Sequence, residues 1–136
     1  RSSEGLDPLT FDCTNLTSAA TTGQGIALPQ RPFRGERIFA FAVLTDTIAP
    51  GVFTDASGFV VFSPAIYVGA VQVGASQGNL PFAMFAANSF GVRLAFPGAG
   101  QGTRIYAPYR SIVPLTATQT IACTITVTGK SVRLSQ

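Results

Sequence analysis

Residues 118–128, with the sequence TQTIACTITVT, indicate the fold class more clearly than any other part of the chain. From Ile121 onward, the apolar side chains of Ile121, Cys123, Ile125 and Val127 alternate with threonine or alanine. A repeat of two places the apolar side chains on one face of an extended strand and the others on the opposite face. The segment therefore predicts a β-strand with one face in a core and one face outside it.

Further short strands are predicted along the chain, separated by glycine and proline turns. The turns include residues 22–25, 50–51 and 107–108. The other predicted strands are residues 9–13, 37–44, 59–62, 66–73, 80–86, 90–96 and 103–107, with a short helix as the alternative at 82–88. Residues 37–44 and 59–62 are apolar on both faces, which is typical of strands covered on both sides. About eight short strands without a helical repeat predict an all-β fold, a single antiparallel β-sandwich that is jelly-roll-like.

The domain organisation is predicted to be simple. A chain of 136 residues has the usual size of one domain. Residues 1–8 and 129–136 are expected to be extended termini of this single domain. No run of 18 apolar residues occurs, so no transmembrane segment is predicted.

The charged residues are few and unevenly distributed. They make up 11% of the chain, against about 25% in average soluble proteins. Lysine and glutamate are depleted at the cores of subunit interfaces, so this composition favours a protein covered by partners. A secreted protein with a hydroxyl-rich surface is the alternative.

All six acidic residues lie in the first 55 positions. The five cations beyond them are dispersed, which leaves room for a weak nucleic-acid contact but lacks the dense basic run of a binding arm.

The composition also limits catalysis. The chain contains no histidine, which excludes Ser-His-Asp and Cys-His triads and histidine-ligated metals. Residues 74–78 (GASQG) match the G-x-S-x-G motif of hydrolases, but that motif needs a histidine base and a following helix. We interpret the motif as a turn. No catalytic residue, cofactor or metal site is predicted, since two cysteines do not close a zinc site.

The two cysteines leave two interpretations open. Cys13 and Cys123 fall on the inward sides of the first and last strong strands. In a jelly roll these strands are neighbours in one sheet, so the two side chains are placed to face each other. A disulfide would close a loop of about 110 residues and contribute roughly 4–5 kcal/mol in the chain-entropy model. Two buried thiols are the alternative, because free cysteine is among the most buried residue types.

Two segments carry candidate subunit contacts. Arg31, Arg34 and Arg37 precede a strongly apolar strand, and in an extended chain Arg31 and Arg37 share a face that Arg34 does not. We expect at least one of these arginines to meet an acidic residue or a backbone carbonyl of a neighbouring subunit. The second segment is predicted to be an exposed aromatic loop, and tyrosine and arginine are common interface anchors. Its candidate contact residues are Tyr106, Tyr109 and Arg110.

Four segments share their spacing and character with a known class of protein. They are the arginine-rich residues 31–37, the pair 67–69 (YVG) and 73–77 (VGASQ), residues 80–85 (LPFAMF), and the threonine-rich last strand before a short tail. Over residues 30–128 the chain thereby resembles small structural proteins of icosahedral bacteriophages. The resemblance implies a single jelly roll in a capsid or spike, without enzyme activity.

Composition and resemblance together predict a non-enzymatic structural subunit of a virus particle, a capsid, penton or spike protein that acts by self-assembly. Its location would be the virion, and its partners would be copies of itself and other virion proteins. The alternative is a secreted or cell-surface binding module, such as a lectin-like domain or a fimbrial subunit.

Overall fold

The computed structural model describes residues 7–18, 20–63, 65–73, 80–85, 92–93, 98–100 and 102–131, which form two antiparallel sheets packed against each other. The first sheet contains β1 (Asp7–Thr10), β4 (Phe33–Asp46), β5 (Phe53–Asp55), β10 (Val92–Arg93) and β12 (Gln119–Ser131). The second contains β2 (Asp12–Cys13), β3 (Gly23–Ala27), β6 (Val60–Phe62), β7 (Ile66–Val68), β8 (Val71–Val73), β9 (Leu80–Pro81) and β11 (Ile105–Ser111). A 3₁₀ turn follows β9 at Phe82–Phe85. The predicted all-β sandwich is confirmed.

The winding of the chain is jelly-roll-like. The strand order is β1-β12-β4-β10 in the first sheet and β2-β3-β11-β6-β9 in the second. The short strand β5 lies beside β4, and β7 lies between β11 and β8. Without the short strands β2, β5, β7 and β8, consecutive strands of the described chain alternate between the sheets, except that β6 and β9 share the second sheet. The first and last of these strands are therefore neighbours, as predicted.

The pairing of β4 with β12 is the longest ladder of the first sheet. It runs from the pair Gln119 and Asp46 to the pair Ser131 and Phe33. Along its inner face, Ile125 of β12 lies opposite the small Ala40 of β4, whereas Val127 lies opposite Ile38. The small side chain of Ala40 leaves room at the middle of the ladder for side chains of the facing sheet.

Four aromatic side chains occupy the centre of the core. The ring of Phe62 lies 4.5 Å from that of Phe82 and 5.4 Å from that of Phe85, measured between centroids. The Phe82 ring lies 5.7 Å from the ring of Tyr109. All four side chains are fully buried, so this cluster ties the second sheet to the 3₁₀ turn.

Several predicted strand limits are wrong. Residues 66–73 form a hairpin rather than one strand, because the chain turns at Gly69 with a φ of 60°, which suits glycine. Residues 9–13 divide between β1 and β2, which belong to different sheets. The predicted turn at 22–25 mostly lies in β3.

Pro108 marks another difference, because the predicted turn at 107–108 lies inside β11. Proline lacks the N–H that a central strand uses for its ladder. On one side of β11 the partner changes from β7 at Tyr106 to β6 at Tyr109, and Pro108 lies between the two pairings. The strand therefore continues through the proline at the point where its neighbour changes.

The paired strands reach into both segments predicted as extended termini. Asp7 and Pro8 pair with Gly129 and Thr128, and Lys130 pairs with Arg34. Of the strand predicted at 90–96, the described part is β10, and the predicted helix alternative beyond Phe85 lies outside the described residues.

Candidate assembly surface

The outer face of the first sheet has an uncharged middle. We call this surface the β4–β12 face, and it consists of Phe39, Phe41, Val43, Thr120, Ala122, Thr124 and Thr126. Phe41 is 50% exposed although it lies on a central strand. The apolar character of both sides of β4 had predicted a strand covered on both sides, but no described part of the chain covers Phe41.

The local sequence makes the side chains of this face stiff. Phe39 lies opposite Thr126, Phe41 opposite Thr124, and Val43 opposite Ala122. Threonine and valine are branched at Cβ, so they have few rotamers to lose when a surface is covered. A long ladder with such side chains is suited to face-to-face packing against another sheet.

The apolar surface continues onto the neighbouring hairpin. Phe53 of β5 pairs with Thr45 of β4 and is 72% exposed. Ile48 and Val52, in the loop before β5, are 79% and 58% exposed. An exposed apolar surface of this kind marks an interaction site more often than isolated apolar residues do.

Cations gather at one end of the β4–β12 face. Arg34, Arg37 and Lys130 are exposed there, and Lys130 lies directly opposite Arg34. The register shifts between Thr128 and Gly129, so that Glu36 is an extra residue without a cross-strand partner. This bulge turns Arg34 and Arg37 to the same side of the sheet. The sequence prediction that they point to opposite faces is therefore wrong.

A carboxylate lies at the other end of the same face. Asp55 of β5 is exposed and pairs with Val43, about 20 Å along β4 from Arg37. The backbone N–H of Ser57 donates to Asp55 Oδ1 at 3.0 Å. Hydrogen bonds from the backbone and side chain of Ser57 lower the pKa of Asp55, which keeps this carboxylate ionised at neutral pH.

Arg31 lies apart from the other two candidate arginines. It precedes β4 and is exposed. With Leu9, Pro29 and Phe33 it lines a groove of about 300 Å³. Of the three arginines, the structure thus brings Arg34 and Arg37 together on the sheet and places Arg31 beside it.

The predicted aromatic loop at Tyr106, Tyr109 and Arg110 is wrong, because these residues belong to β11 in the middle of the second sheet. Tyr109 is fully buried, and its hydroxyl donates to the backbone carbonyl of Thr14. Burial raises the pKa of Tyr109 well above its usual range. Tyr109 is therefore a core residue and not a subunit contact. Tyr106 and Arg110 are half-buried, and the Arg104 guanidinium lies 4.8 Å from the Tyr106 ring centroid.

The two cysteines are thiols in the structure. Cys123 is buried and Cys13 is partly exposed. Cys13 pairs with Gly25 in the second sheet while Cys123 pairs with Ala42 in the first, so the prediction that both lie in one sheet is wrong.

The described residues contain no group of three or more cysteine, aspartate or glutamate side chains that could hold a metal ion. Within the same residues, no helix has the length and apolar character needed to cross a membrane. The G-x-S-x-G match at residues 74–78 lies outside the described residues. Comparison with protein-family models, curated proteins and solved structures finds no match to this chain.

Proposed function

We propose that this protein is a structural subunit of a virus particle that assembles with copies of itself through the β4–β12 face. The observation that carries the proposal is the uncharged, partly aromatic outer face of a central ladder, with opposite charges at its two ends. The low charge of the chain and its resemblance to small phage structural proteins support the same function.

The arrangement of charges favours a second copy as the occupant of this face. Two copies can pack face to face if they are related by a two-fold axis that lies in the plane of the face and perpendicular to the strands. The strands of one copy then run in the opposite direction to those of the other. The cationic end with Arg34 and Arg37 then meets the Asp55 end of the partner. A two-fold interface of this kind uses the same patch on both subunits, so it needs a self-complementary surface.

The energetics of this contact follow from its composition. Covering Phe39, Phe41 and Val43 removes apolar surface from water, which stabilises by about 25 cal/mol per Å². The middle of the face contains no charge to desolvate, and desolvation costs several kcal/mol for each buried charge. Threonine hydroxyl groups bind the partner or retained water. The apolar hairpin surface at Ile48 and Phe53 is available for further copies or other virion proteins.

Replacing Phe41 by Lys is expected to disperse the assembly. The lysine brings a charge into the middle of the interface, where the two-fold axis places it close to the same lysine of the partner. Such a like-charge contact costs several kcal/mol. We expect a loss of about 3 kcal/mol, or roughly a hundredfold weaker association. Light scattering coupled to size-exclusion chromatography measures the change in mass.

The matched control is Val71→Lys, since Val71 is 54% exposed on β8 in the second sheet. This variant should assemble like the unmodified chain, whereas Phe41→Lys should elute as single chains. Equal assembly of the two variants would refute the proposal. A chain that stays single at all concentrations and binds glycans would instead support the secreted binding module.

A further inference from the structure

Cys13 and Cys123 lie between two points at which the amino-terminal segment is bonded to β12. On one side, the Phe11 N–H donates to the Ile125 carbonyl at 3.0 Å. On the other side, Leu16 and Ile121 exchange both backbone hydrogen bonds, each at 2.8 Å. The two contacts hold the chain on either side of Cys13 against the chain on either side of Cys123.

Between these two points the amino-terminal segment leaves β12 and pairs with β3 of the second sheet. Cys13 pairs with Gly25 of β3, so it lies nearer the second sheet, while Cys123 points inward from the first. A Cβ atom at Gly25 would stand 3.3 Å from Cys13 Sγ, so glycine leaves room for the sulfur. Burial has the largest effect on the pKa of both thiols, but Tyr109 lowers both and the charge of Cys13 raises the pKa of Cys123, so the two cysteine side chains lie in one neighbourhood.

We propose that Cys13 and Cys123 form a disulfide when the folded protein meets a low-molecular-weight disulfide such as oxidised glutathione, tying the amino-terminal segment to the last strand. The Cys13 thiolate attacks one glutathione sulfur, breaks its S–S bond and releases the first glutathione as a thiolate. The Cys123 thiolate then attacks Cys13 Sγ in the mixed disulfide and releases the second. The two cysteine protons end on the two glutathione thiols, so two protein thiols are oxidised and one glutathione disulfide is reduced.

The order of the two steps follows from exposure. Cys13 is partly exposed and Cys123 is buried, so Cys13 meets the reagent first. Burial raises the pKa of both thiols, to about 12 for Cys123. The reactive thiolates are therefore scarce at neutral pH, and the reaction should accelerate as the pH rises toward these pKa values.

Closing the bridge should raise the thermal stability of the protein. The disulfide encloses a loop of about 110 residues, which restricts the unfolded chain strongly. We expect the midpoint of thermal unfolding to rise by about 10 °C on oxidation and to return on reduction.

The test is to treat the full chain with oxidised glutathione and to measure its intact mass, its disulfide-linked peptides and its unfolding midpoint. The expected result is the loss of two hydrogens, a Cys13–Cys123 linked peptide and the higher midpoint. Cys13→Ser is the control and should show none of these three results. Cys13→Ala is the second variant if the serine variant does not fold. Two thiols that stay free, a glutathione adduct that Cys123 does not displace, or links between chains would each overturn the proposal. None of these results depends on the β4–β12 face.

Discussion

Replacing Phe62 by Ala is expected to lower the free energy of unfolding by about 3–5 kcal/mol. Phe62 is fully buried, and its ring contacts the rings of Phe82 and Phe85. Its removal leaves a cavity between the second sheet and the 3₁₀ turn, and the stiff strands around it cannot collapse to fill the space. Since domains of this size have about 5–15 kcal/mol of total stability, the variant loses at least about a fifth of it.

Urea denaturation followed by circular dichroism measures this loss. Phe53→Ala is the matched control, because it removes the same side chain from a position that is 72% exposed. The control should change the free energy of unfolding of the single chain by less than about 0.5 kcal/mol. Similar losses for both variants would mean that the aromatic cluster is not the centre of the core.

Replacing Gly129 by Ala is expected to cost about 3 kcal/mol, at the upper end of the usual cost of overpacking. A Cβ atom at this position would stand 2.1 Å from the Arg34 carbonyl oxygen and 2.7 Å from Gly35 Cα. These are backbone atoms of the adjacent strand, so no side-chain rotation relieves the contact. The bulge between β4 and β12 must open, which also changes the side to which Arg34 points.

The control for this variant is Gly58→Ala, because a Cβ atom at Gly58 would have no neighbour within 4 Å. The thermal unfolding midpoints of both variants should be compared with that of the unmodified chain. We expect the midpoint to fall by about 10 °C for Gly129→Ala and to stay almost unchanged for Gly58→Ala. A Gly129→Ala variant as stable as the unmodified chain would contradict the close approach of the two strands.

The parts of the fold with a regular repeat could be predicted from the sequence. The alternation around Ile125 predicted the strand β12, and the number of strands predicted the sandwich. Gly23 and Gly25 were interpreted as turn residues because glycine usually marks turns. In the structure they lie in β3, where glycine is needed because the Tyr109 ring and Cys13 Sγ occupy the space above them. At Gly23 that requirement arises from β11, far away in the sequence, so no local pattern shows it.

The candidate surface was only partly visible in the sequence. The low charge predicted an assembled protein, and Arg34 and Arg37 were candidate contacts. Their common side depends on a bulge opposite Gly129, which extended-chain spacing does not predict. Tyr109 was misplaced because Pro108 suggested a turn. The exposure of Phe41 was missed because a strand that is apolar on both faces is normally covered on both sides.

The most direct test of the central claim is hydroxyl-radical footprinting of the unmodified chain in dilute and in concentrated solution. The account predicts that oxidation of Phe41 falls as the protein assembles, because a second copy covers the β4–β12 face. Met84 is an internal reference, since it lies in the 3₁₀ turn and is 42% exposed. Its oxidation should stay constant. Oxidation of Phe41 that is equally fast at every concentration would contradict assembly through this face.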